Sequence, residues 1–159
     1  MTISVGDRLP ATNFMTPGEK GPEPVSTDDV FKGKRVALFA VPGAFTPTCD
    51  ARHLPSFKDN ADAFKAKGVD AIACVSVNDV FVMKAWGKAS EADGILMLAD
   101  GNGDFTKALG LELDASGFGM GHRSQRYSML VNEGVVEQLN VENGGAYEVS
   151  SGDYLLSHM

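Results

Sequence analysis

Cysteine is scarce: the 159 residues contain only Cys49 and Cys74. Two cysteines are too few for a secreted disulfide scaffold, so a reducing compartment is the simpler reading. Basic residues are outnumbered, with 14 Lys and Arg against 21 Asp and Glu and a net charge of −7. A nucleic-acid partner would call for a basic patch and is not expected. No apolar run approaches the roughly 20 residues that span a bilayer. The start, Met1 to Asp7, lacks the basic-then-apolar pattern of a signal peptide. The expectation is a soluble, cytoplasmic protein with neither a membrane nor a nucleic-acid partner. Metal-ligand pairs such as C-x-x-C are also missing. Cys49 and His53 share a helix face four residues apart, but nothing supplies further ligands, and His122 and His158 stand alone. Gly101, Gly103 and the run Gly117 to Gly121 lack the Gly-Lys-Ser/Thr ending of a phosphate loop. Neither a metal nor an organic cofactor is expected.

What is present is a globular composition, 43% hydrophobic and 22% charged, in a length that suits a single domain over residues 1–159. Thr16 to Pro24, with three prolines and two glycines, reads as a surface loop. Arg35 to Ala40, Val69 to Val77 and Ile95 to Ala99 read as buried strands. Between them, Asp50 to Lys67 places Leu54, Phe57, Ala61 and Phe64 at helical spacing, with Gly68 as a stop. Asp79 suits the N-cap of a helix running to about Ser90. A turn at Asp100 to Gly103 leads to a short helix. Tyr127 to Val131 and Val135 to Val141 flank a hairpin turn at Asn132-Glu133-Gly134. Ser150 and Asp153 form a capping-box pattern for a last helix. This order predicts an α/β protein with a central mixed β-sheet flanked by helices, in a thioredoxin-like layout.

Val41 to Asp50 reads VPGAFTPTCD and lies between a buried strand and an amphipathic helix. Thr46 and Pro47 suit the N-cap and first helical position, which puts Cys49 in the first turn. There, unpaired backbone N–H groups and the positive end of the helix favour the nucleophilic thiolate. Position alone leaves a second reading open, because most free cysteines are small buried hydrophobes. Cys74, inside the apolar run Ala71 to Val75, fits that description.

Pro42-x-x-x-Thr46-x-x-Cys49 resembles the active-site signature of the peroxiredoxins. The longer string PGAFTPTC, followed by Arg52-His53-Leu54-Pro55, resembles the atypical type-II, peroxiredoxin-five-like branch. Asn78 to Gly87 and Arg123-Ser124-Gln125-Arg126-Tyr127 agree, so the resemblance covers essentially the whole chain. It implies that Cys49 attacks a peroxide, that Thr46 holds it and that Pro42 shields the sulfur. Arg126 would stabilise the thiolate and the breaking O–O bond. His53 tunes the cysteine or, on the plainer reading, is a hydrogen-bonded structural histidine.

Some family members resolve the oxidised cysteine with a second one near the C-terminus. Here Glu148 to Asp153 contains none. The expectation is a one-cysteine cycle on small peroxides, reduced by glutathione with glutaredoxin first and thioredoxin second. A homodimer is also implied, with Phe45, Trp86, Phe118 and Met120 as a candidate apolar patch, although each of them suits the core equally well. Two rivals remain. A thioredoxin-type disulfide oxidoreductase would need a C-x-x-C pair, and a redox sensor would share the reactive thiol without turning over.

Overall fold

A computed structural model describes residues 2–159, which form a seven-stranded mixed sheet with helices on both faces. The chain runs β1 (Asn13–Gly18), β2 (Gly21–Ser26), α1 (Thr27–Phe31) and β3 (Arg35–Val41). A π-helical turn (Cys49–His53) then leads into α2 (Leu54–Lys58) and α3 (Ala61–Ala66). Next come β4 (Ala71–Ser76), α4 (Val80–Ala89), β5 (Ile95–Ala99) and α5 (Asp104–Leu109). The last elements are β6 (Glu112–Asp114), β7 (His122–Ser124), β8 (Tyr127–Asn132), β9 (Val135–Val141) and α6 (Gly152–Ser157). Strand order is β2-β1-β5-β4-β3-β8-β9, with β3, β4 and β5 parallel and the other pairings antiparallel.

β3 lies inside the sheet between β4 and β8 and is buried on both faces, which is why it reads as an unbroken apolar run. Its alternate side chains supply two cores. Ala37, Phe39 and Val41 pack with Phe57, Phe64, Trp86 and Leu155 on one face. Val36, Leu38 and Ala40 pack with Phe14, Phe31, Phe105 and Tyr127 on the other.

Three sequence expectations require correction. Thr16 to Pro24 is not a loop but most of the β1–β2 hairpin, in which Pro17 faces Pro22 and Pro24 faces Met15. β2 is an edge strand, where a missing N–H leaves no ladder bond broken. The helix expected over Asp50 to Lys67 is divided. Pro55 cannot donate to the carbonyl four residues back and its ring would crowd it. The chain inserts an extra residue instead, and Leu54 N–H reaches the Cys49 carbonyl in a π turn. A second break at Asp59–Asn60 separates α2 from α3. Finally, α6 is capped by Ser151, whose Oγ accepts from Tyr154 N–H at 3.1 Å, not by Ser150.

α6 closes over α2 at Gly152, where a Cβ would collide with the Ser56 carbonyl and approach Phe57 Cα to 3.2 Å. Backbone cannot swing aside as a side chain would. Gly152→Ala should therefore lower stability by roughly 1–3 kcal/mol, read as a lower urea midpoint. An unchanged midpoint would show that the α2–α6 contact opens freely.

Candidate active site

The loop from Pro42 to Thr46 leaves the C-terminal end of β3, and the next helix starts at Pro47. Cys49 is thus in the first turn, as its sequence context predicts. The Thr46 hydroxyl, however, caps no backbone N–H among the described residues. Its Oγ1 lies 2.7 Å from Cys49 Sγ and 2.6 Å from the Gly43 carbonyl. One hydroxyl proton cannot serve both. With a thiolate it points at sulfur, and with a thiol it turns to Gly43 while the S–H donates to Oγ1.

The second donor comes from far along the chain. Arg126 Nη2 donates to Cys49 Sγ at 3.0 Å across 77 residues of sequence. The antiparallel register of β3 and β8 pairs Ala40 with Tyr127, so Arg126 lies level with the end of β3. Arg126 Nη1 reaches His53 Nδ1 at 2.9 Å, and His53 Nε2 lies 2.8 Å from the Ser150 carbonyl. A carbonyl only accepts, so Nε2 carries the proton and Nδ1 is left as the acceptor for Arg126. Burial, and then the Arg126 charge, push the His53 pKa down to about 3, against an opposing effect of the Ser150 bond. His53 is therefore a neutral acceptor that aims Arg126.

The loop bearing the cysteine is braced from several directions. Ala44 N–H donates to Asn78 Oδ1 at 3.0 Å, and Trp86 Nε1 donates to Asp50 Oδ1 at 2.9 Å. Arg123 ties two neighbouring carbonyls, Met120 at 2.9 Å and Val77 at 3.0 Å. A side chain at Gly43 would be tight, since a Cβ would come within 3.1 Å of Thr46 Cγ2 and 3.0 Å of Met120 Cε. Phe45 holds a left-handed conformation, φ 66°, that places its half-exposed ring at the loop tip.

Thr46, Cys49 and Arg126 thus converge. Pro42 is half-buried at the strand end, where the chain leaves the sheet. Cys74 is fully buried in β4 between Phe39 and Met97, and burial, followed by the nearby Cys49 sulfur, pushes its thiol up despite Arg126. Trp86 is core rather than surface, whereas Phe118 is exposed and Met120 half-buried. Sequence reasoning missed the Arg123 braces, the Asn78 anchor and the His53–Ser150 bond. Asn78 and Arg123 do lie inside the motifs carrying the family resemblance.

A cysteine sulfur held between a hydroxyl and a guanidinium, at the C-terminal end of a central strand in a thioredoxin-like fold, defines a thiol-based redox enzyme. Residues 4–156 match the Redoxin family. Peroxiredoxin-2E-2, chloroplastic, of Oryza sativa subsp. japonica is 49% identical over 98% of this chain and 72% of its own length. Reduced Prx3 of Vibrio vulnificus in complex with hydrogen peroxide superposes with a TM-score of 0.95 at 54% identity, covering 99% of each chain. Peroxiredoxin 5 of Alvinella pompejana superposes at 0.86 with 38% identity, over 98% of this chain and 96% of that one. The chain belongs to the Redoxin family and, within it, to the peroxiredoxins, which are thiol-dependent peroxidases.

The neutral state of His53 has a consequence for stability. The unfolded chain protonates it near pH 6.5, while the folded protein resists down to about pH 3. Between those values the unfolded state binds more protons, so stability falls as pH falls. From pH 7 to pH 5 the loss should be about 2 kcal/mol. Glu142, the other buried group held low, loses its contribution only as pH drops below the ordinary carboxylate range, outside this window. Urea unfolding at both pH values should show that loss in wild type and little of it in His53→Gln. Equal losses in the two proteins would mean that His53 is charged in the fold.

Proposed function

We propose that the protein reduces hydrogen peroxide and small alkyl hydroperoxides through a sulfenic acid at Cys49, which an external thiol regenerates. The observation that carries this reading is the pair of donors on Cys49 Sγ, Thr46 Oγ1 at 2.7 Å and Arg126 Nη2 at 3.0 Å. The thiolate attacks the terminal peroxide oxygen, forming an S–O bond as the O–O bond breaks. Sulfur supplies two electrons, and the departing oxygen leaves as hydroxide or alkoxide and takes up a proton to become water or alcohol. Negative charge grows on that oxygen, and preoriented donors are worth most where charge develops. Arg126 supplies this stabilisation, Thr46 orients the peroxide, and Pro42 limits water at the strand end.

The sulfenic acid then condenses with a thiol, releasing water and leaving a mixed disulfide that a second thiol cleaves. Cys74 is a poor partner for that step, because its strand is hydrogen-bonded on both sides, to β3 and to β5. Glutathione with glutaredoxin is the first reductant and thioredoxin the second, in a reducing, cytoplasmic setting that suits two free thiols. Exposed Phe118 and half-exposed Phe45 support a homodimer that buries these rings.

Cys49→Ser should abolish peroxide turnover, while Cys74→Ser should keep most of it. Intact mass after one equivalent of peroxide should show one added oxygen and no internal disulfide. Loss of activity in folded Cys74→Ser would defeat the one-cysteine cycle. Thr46→Val should slow single-turnover oxidation roughly 100-fold, with Thr46→Ser close to wild type. Stopped-flow Trp86 fluorescence would follow it, since the indole is bonded to the residue after Cys49. Equal rates for the valine and serine variants would remove the hydroxyl from the mechanism.

A further inference from the structure

We propose that Glu142 is a positioning residue for the peroxidase reaction, acting through Ser150 and His53 to aim Arg126 at the Cys49 sulfur. Glu142 touches neither sulfur nor peroxide. It lies just past the end of β9, is buried, and faces no Lys or Arg within salt-bridge distance among the described residues. Its carboxylate is nonetheless fully engaged. It accepts from the backbone N–H groups of Glu148 (2.9 Å), Val149 (2.9 Å) and Ser150 (2.8 Å), and from Ser150 Oγ (2.6 Å). Burial alone would push this carboxyl up, but Ser150 Oγ and the three amides outweigh it and hold it below the usual range. A carboxylate that gathers three successive N–H groups dictates the path of the loop from Glu142 to Ser150.

The path matters because of where the loop ends. The Ser150 carbonyl, on the residue whose N–H and hydroxyl Glu142 holds, accepts from His53 Nε2 at 2.8 Å. That bond selects the tautomer whose Nδ1 can accept from Arg126 Nη1, leaving Nη2 for the sulfur. Glu142 also touches the arginine's own backbone, since its N–H donates to the Arg126 carbonyl at 2.9 Å. The same residue therefore fixes the main chain of Arg126 and, through two intermediates, the orientation of its guanidinium. A neutral amide in place of the carboxylate takes the charge out of these bonds and puts an NH2 donor beside the Glu148 N–H, so the loop relaxes and His53 is free to take either tautomer.

This inference rests on the peroxidase reading, and its test separates the two. Wild type, Glu142→Gln, His53→Ala and the double variant would be compared in single-turnover oxidation by hydrogen peroxide. The His53 imidazole 15N spectrum would be recorded for the proteins that retain the histidine. Glu142→Gln should slow oxidation of Cys49 roughly 10- to 100-fold, the scale of a small misplacement at a reacting centre. Added to His53→Ala, it should cost less than about threefold, because residues acting through one another are not additive. The wild-type spectrum should show the Nε2–H tautomer, and Glu142→Gln a mixture. A wild-type rate in Glu142→Gln, an unchanged tautomer, or a full further loss in the double variant would overturn the proposal. If Glu142→Gln fails to fold, Ser150→Ala takes its place. It removes one donor to Glu142 and keeps the carbonyl, and should give a several-fold loss with the same non-additivity; a wild-type rate would again overturn the proposal. Slow oxidation of wild type itself would instead sink the peroxidase reading.

Discussion

Arg126 directs its two terminal nitrogens at different acceptors, Cys49 Sγ at 3.0 Å and His53 Nδ1 at 2.9 Å. A guanidinium is planar and rigid, so placing one N–H fixes the direction of the other. Where the cation meets the sulfur is therefore decided at the histidine. A protonated imidazole would present a donor to a donor and break the arrangement. Burial, helped by the Arg126 charge, keeps that proton away. The cation thereby helps to maintain the acceptor that orients it.

The sheet brings these groups together by register more than by sequence proximity. β3 and β8 run antiparallel with Ala40 opposite Tyr127, so the residue before β8 meets the segment after β3. A slip by one residue would send the Arg126 side chain to the opposite face of the sheet. The π turn completes the arrangement, since Cys49 and His53 stand at its two ends and both meet Arg126. Pro55 makes that wider turn favourable while lying outside the site itself.

Much of the setting of Cys49 was legible because it is local. A buried strand, a short loop, a Thr-Pro helix start and a first-turn cysteine all fall within about a dozen residues, and each follows from propensity and capping. Arg126 was legible only through the family resemblance, because its neighbours alone read as the start of an exposed strand. The β1–β2 hairpin was hidden by prolines that an edge strand tolerates. The π turn was hidden because the apolar spacing of Leu54, Phe57, Ala61 and Phe64 survives an added residue upstream of it. Glu142 could not be read at all. A carboxylate that binds backbone amides several residues later leaves no pattern in side-chain identities, and Ser150 looked like a helix cap until the fold gave it to Glu142.

Cys49 and Cys74 show how little burial alone decides. Both are fully buried, and both belong to the same core on the same face of the sheet. Around Cys74 stand Phe39 and Met97 on the neighbouring strands, and among the described residues its thiol has no hydrogen-bond partner, so burial keeps it neutral. Around Cys49 the same degree of burial is answered by a hydroxyl and a guanidinium, both within hydrogen-bonding distance of the sulfur. Low dielectric then strengthens those two bonds. The backbone differs as well. Cys74 is held by ladders on both sides, whereas Cys49 lies at the start of a helix whose winding already departs from α. Freeing Cys74 would mean opening the centre of the sheet, and this is the physical ground on which the proposed cycle takes its resolving thiol from outside the chain.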